Sequence, residues 1–101
     1  MKRHLIYCGC ASPLGDEDKV ATIVRDLAGE YFPKGHTIHE ALGRWHGLFS
    51  GIIDERTLIV EVWEVEGFDP PPVGKFAGAF KEAGRQESVV ILEIPCTAVV
   101  L

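Results

Sequence analysis

The sequence predicts an α+β fold of the ferredoxin-like kind, a βαββαβ sandwich with a four-stranded antiparallel sheet and two helices on one face. Three observations predict it. Two segments repeat apolar residues at three- and four-residue spacing, as amphipathic helices do. Four segments alternate or run apolar in the manner of strands. The two kinds follow one another as two βαβ halves. A length of 101 residues supplies one core and no second, so residues 1–101 are read as a single domain.

Each element has its own signal. Residues 3–11 read as a short strand, closed by the loop sequence Ser12-Pro13-Leu14-Gly15. Asp16 is placed to cap a helix over residues 16–30, with Glu17 and Asp18 in the first turn, where the helix dipole favours negative charge. Val20, Ile23, Val24, Leu27 and Tyr31 form its apolar stripe. Phe32-Pro33-Lys34-Gly35 ends it, since proline cannot continue the hydrogen-bond ladder. His36 to His46 is extended, Gly47 to Gly51 turns, and Ile52 to Val65 is a long strand rich in β-branched residues, so the pair reads as a hairpin. Gly67 to Pro72 is a stiff linker because consecutive prolines favour polyproline II. Val73, Phe76, Ala77, Phe80 and Ala83 give a second helix over residues 73–84, with Gly84 at its C-cap. Glu87 to Leu101 is the last strand, with Pro95 marking a bulge or an edge.

Composition narrows the function classes. Hydrophobic residues at 47% and charged residues at 25% exclude a disordered chain. A net charge of −5 argues against a dedicated nucleic-acid binder, which needs a cationic face. No apolar run approaches the ~20 residues that span a bilayer. The apolar stretch after Lys2 and Arg3 is too short for a signal peptide, so a cytoplasmic protein is expected. Three cysteines, Cys8, Cys10 and Cys96, are an odd number and describe no disulfide framework; they read as small buried hydrophobes.

The last predicted strand is apolar on both sides. Val90, Leu92, Ile94, Cys96, Ala98 and Val100 share one side, and Val89, Ile91, Val99 and Leu101 the other. A sheet face left in water should alternate cleanly. Leaving several Val and Ile side chains wet forfeits several kcal/mol at ~25 cal/mol per Å². A second or third copy of the chain, making a dimer or trimer, is the expected cover, with a folded-back loop as the rival.

Phe32-Pro33-Lys34-Gly35-His36-Thr37, Gly43-Arg44-Trp45, Glu55-Arg56-Thr57 and Gln86-Glu87-Ser88-Val89 follow one another in order. The series resembles an uncharacterised bacterial family with the pattern Phe-Pro-x-Gly-x-Thr, Gly-x-Trp, Glu-x-Ser and Gln-x-Ser-Val. Thr57 stands where that pattern has serine. The resemblance implies the ferredoxin-like topology and supplies no activity. At the level of the superfold, the layout also looks like P-II-type regulators, by analogy alone.

Trp45, Glu55, Thr57, Gln86 and Ser88 would together combine an aromatic wall with convergent polar groups, which small-ligand sites need. Arg44 joins them as a candidate through its place in Gly-x-Trp. Four histidines, His4, His36, His39 and His46, show no HxxH or HxH spacing, and His36 and His46 lie too far apart on one strand to share an ion. Cys8-x-Cys10 with Cys96 lacks an obvious fourth ligand. Residues 9–15 lack the Gly-Lys-Ser/Thr ending of a phosphate-binding loop. No metal and no cofactor are therefore expected. The leading expectation is a non-enzymatic small-ligand-binding or regulatory module acting as a homo-oligomer. Its rivals are a small enzyme of the isomerase or cofactor-free oxygenase type, with Glu55, His39 or Tyr7 as acid–base groups, and a protein-binding adaptor.

Overall fold

Period-2 alternation makes Lys2–Gly9 the first strand, β1, which sends Ile6 and Cys8 into the core and Leu5 and Tyr7 the other way. The computed structural model describes residues 1–47, 49, 51–99 and 101. Asp16 caps the first helix, α1 (Glu17–Tyr31), by accepting a hydrogen bond from the Asp18 N–H at 2.9 Å. That helix buries Val20 and Val24 of the predicted stripe together with Ala21 and Ala28, while Ile23, Leu27 and Tyr31 pack partly buried against the core. Phe32 closes it, donating its N–H to the Ala28 carbonyl and packing its ring 5.1 Å from that of Phe76.

β2 (Thr37–Gly47) and β3 (Gly51–Glu64) form the long hairpin, paired from Thr37↔Glu61 to Gly47↔Gly51. Leu48 and Ser50 of the predicted turn lie outside the described residues. The second helix, α2 (Val73–Ala83), buries Val73, Phe76, Ala77 and Phe80 against the same sheet face. Gly84 sits at its C-cap, but the left-handed residue is the next one, Arg85, at φ 51°. β4 (Val90–Pro95) pairs antiparallel with β1 from Tyr7↔Val90 to Lys2↔Pro95. The order across the antiparallel sheet is β2-β3-β1-β4, with both helices on one face, as the βαββαβ reading predicts. Among the described residues, no helix is long and apolar enough to cross a membrane.

The last strand is shorter than predicted. It spans Val90–Pro95 rather than residues 87–101. Pro95 has no N–H to continue a ladder, and its pairing partner β1 starts at Lys2. Cys96 makes one further bond, to the Met1 carbonyl, and the strand stops. Cys96, Ala98, Val99 and Leu101 therefore belong to neither sheet face, and Val100 lies outside the described residues. Within the strand, Val90, Leu92 and Ile94 do share the helix-free face with Leu5 and Tyr7, and Ile91 stands beside Ile6 on the other. Val90, Ile91 and Leu92 are each about 40% exposed in the single chain.

Candidate functional site

At one end of the helix-free face the strands frame a cleft of about 720 Å³, within the range of small-molecule pockets. Three segments meet there: the end of β1 with residues 9–13, the hairpin around Trp45, and the α2–β4 loop from Arg85 to Ser88. Trp45, Glu55, Gln86 and Ser88 of the predicted set line it.

Trp45 and Tyr7 supply the aromatic wall, edge to face, with ring centroids 6.2 Å apart. The indole folds back over Gly43 on its own strand. A Cβ on Gly43 would stand 2.5 Å from Thr57 Oγ1 and 2.6 Å from Trp45 Nε1, so the Gly-x-Trp spacing is a steric need. Thr57 is buried beneath this contact rather than lining the cleft. Its hydroxyl and the Trp45 indole N–H are both buried without a hydrogen-bond partner among the described residues.

Glu55 reaches across to β1. Its carboxylate lies against Gly9, where a Cβ would stand 2.6 Å from the carboxyl carbon, and Oε2 accepts the Ala11 N–H at 2.6 Å. Burial pushes the Glu55 carboxyl above its ordinary range; the Ala11 N–H opposes this, and the Glu17 charge adds to it. Gln86 ties two loops together, its Nε2 donating to the carbonyls of Ala11 (3.2 Å) and Gly84 (3.0 Å). Ser12 makes the same join, donating its hydroxyl to Gly84 O at 2.7 Å. The cleft is thus an aromatic slot with one partly desolvated carboxyl on its floor.

Arg44 is not part of it. It lies on the opposite face of the hairpin, where its guanidinium pairs with Asp54 through Nε at 2.6 Å and Nη2 at 3.1 Å, both side chains exposed. Strand parity separates Arg44 from Trp45. Gly9 and Arg85 are cleft residues that sequence reasoning did not single out, and Tyr7, read there as an acid–base candidate only, forms part of the wall. Gly9 carried the available signal, a glycine inside a strand, which marks a close approach by another group.

A second hollow, of about 600 Å³, lies at the other end of the sheet and holds none of the six candidate residues. The Phe32–Thr37 segment lines it, facing the Pro70–Pro72 stretch. Beside it Glu61 accepts from Arg3 Nε (3.1 Å), Trp63 Nε1 (2.8 Å) and His39 Nε2 (3.0 Å), and these bonds, Arg3 foremost, hold its carboxyl down to about 2. All of its charge is committed to structure. The thiols of Cys8 and Cys10 are buried in the core, and burial raises both, Cys10 to about 11, which suppresses the thiolate needed for reactivity.

Strand order, helix placement and a cleft at the sheet end define a ferredoxin-like α+β protein with an open aromatic–carboxylate pocket. No family model matches the chain, and no curated protein is similar to it. Solved structures share the fold. A phage SAM lyase in complex with S-methyl-5'-thioadenosine superposes with a TM-score of 0.72 at 16% identity, covering 91% of this chain and 78% of that one. A phage SAM lyase in the apo state gives 0.58 at 18% identity over the same shares.

Proposed function

We propose that the protein binds a small, flat, nucleoside-like ligand in the Trp45–Glu55 cleft and does so as a homo-oligomer. The observation that carries this reading is the partly buried Glu55 carboxyl set beside the Tyr7–Trp45 wall. A heteroaromatic ring gains stacking area on such a wall. Its ring N–H or amino group, or a cationic substituent, would meet the carboxyl. Support also comes from the phage SAM lyase of the same fold, whose structure contains S-methyl-5'-thioadenosine, a nucleoside. Fold alone does not carry an activity across.

The test uses S-methyl-5'-thioadenosine and adenosine as probes in calorimetry. Saturable binding is expected, and Glu55→Gln should abolish it. The carboxamide introduced by that substitution still accepts the Ala11 N–H and removes a charge that burial disfavours, so the variant should be at least as stable as the parent at neutral pH. Absence of binding of both probes at millimolar concentration sinks the reading.

A second reading is favoured by the same raised carboxyl, since a titratable group perturbed by burial in a cleft is an acid–base candidate. Incubation with SAM, followed by chromatography for S-methyl-5'-thioadenosine, tests it. Product that disappears in Glu55→Gln makes the protein a lyase; no product over the blank leaves the binding module.

A further inference from the structure

The helix-facing side of the sheet carries, at the end away from the cleft, a cluster that the ligand site does not use. His4 stands on β1, Glu64 at the end of β3 and Glu93 on β4. β1 lies between the other two strands, so three neighbouring strands each bring one donor to the same place. One donor atom from each residue lies within 4.8 Å of the others. We propose that His4, Glu64 and Glu93 form a binding site for a divalent transition-metal ion of the zinc class.

Three features support it. The His4 Nε2 to Glu64 Oε1 distance is 3.3 Å. Two donors each ~2.0–2.1 Å from a tetrahedral ion stand about 3.4 Å apart, so this edge of the site needs only the loss of the hydrogen-bond proton between them. Glu93 is the donor that must move, and its side chain is half exposed and able to do so. His4 is nine-tenths buried, so packing fixes its ring; this separates the cluster from a chance gathering of surface acids. Finally, a cation already bridges the two carboxylates: the Lys2 ammonium lies 3.0 Å from Glu93 and 3.9 Å from Glu64. That side chain is half exposed and can swing away. A divalent ion in its place would be neutralised by the two carboxylates. The imidazole selects a zinc-like metal over calcium or magnesium, which prefer oxygen alone. Three protein donors leave at least one position for water.

Chelator-treated protein would be titrated with Co²⁺, followed by visible absorption, and with Zn²⁺ in calorimetry. One ion per chain is expected, with no thiolate-to-cobalt charge-transfer band. Glu93→Gln, a surface change that leaves the core intact, should weaken binding about tenfold or more, and His4→Gln likewise. Lys2→Met should tighten it, because the competing ammonium is gone. No binding, affinity unchanged in Glu93→Gln, or a strong thiolate band would each overturn the proposal.

Discussion

Gly43 and Gly9 leave no room for a side chain, and each is filled by a residue of the candidate site. Trp45 and Thr57 occupy the space above Gly43, and Glu55 the space above Gly9. Gly43→Ala is therefore expected to destabilise the fold by ~1–3 kcal/mol, the usual cost of overpacking, and to shift Trp45 fluorescence. Denaturant unfolding of the variant with Trp63 replaced by Phe, leaving Trp45 as the reporter, checks both. Sequence reading grouped Trp45, Glu55 and Gln86, which the fold brings to one cleft, because aromatic and polar groups among apolar strand segments stand out. It kept Arg44 in the set although strand alternation, legible in the sequence, puts Arg44 and Trp45 on opposite faces. The roles of Gly9 and the Ala11 N–H needed the register of β1 against β3, which no single segment encodes.

Among the elements, β3 is the hinge of the sheet, pairing with β2 on one side and β1 on the other. Glu61 binds it to both neighbours, to Arg3 on β1 and His39 on β2. Its carboxyl is held near 2 instead of the ordinary 4.5. A depressed carboxyl contributes stability that is whole above its unfolded value and is lost as pH falls toward its folded one. Stability should thus drop between about pH 4.5 and 2. Glu61→Gln should remove on the order of 1–2 kcal/mol of that pH-dependent stability and flatten the acid limb, allowing for solvent around Arg3 and His39. Urea melts of both proteins at several acidic pH values would show it. The helices and the hairpin were legible because their periodicities are local. The over-long last strand was not: Cys96 to Leu101 is apolar enough to be a strand, but an edge needs a partner, and β1 offers one only from Lys2.

For the whole molecule, the helix-free face sets the expectation of self-association. Leu92, midway along the edge strand β4, is 41% exposed in the single chain, and Trp63 near the end of β3 50%. If copies of the chain cover this face, Leu92→Arg should convert the oligomer to a monomer, since a buried unpaired charge costs several kcal/mol. Light scattering reads the change, and an unchanged melting curve at low protein concentration shows that the subunit itself is intact. The apolar run of Val90, Leu92 and Ile94 on the helix-free side of β4 was readable in the sequence, whereas the other side of the strand carries Glu93 beside Ile91. The three-strand cluster of His4, Glu64 and Glu93 was not readable, because its members are tens of residues apart and only the sheet order makes them neighbours.

The hairpin outruns the sandwich. Residues 57–61 of β3 pair on both sides, whereas residues 51–55 pair with β2 alone. A two-stranded ribbon without a third strand is marginal by itself. Amides of residues 43–47 and 51–55 should exchange with deuterium well before those of β1. One wall of the cleft can then unfasten while the helices and core stay closed, so the Trp45 side of the pocket would come apart at a lower free energy than the fold as a whole.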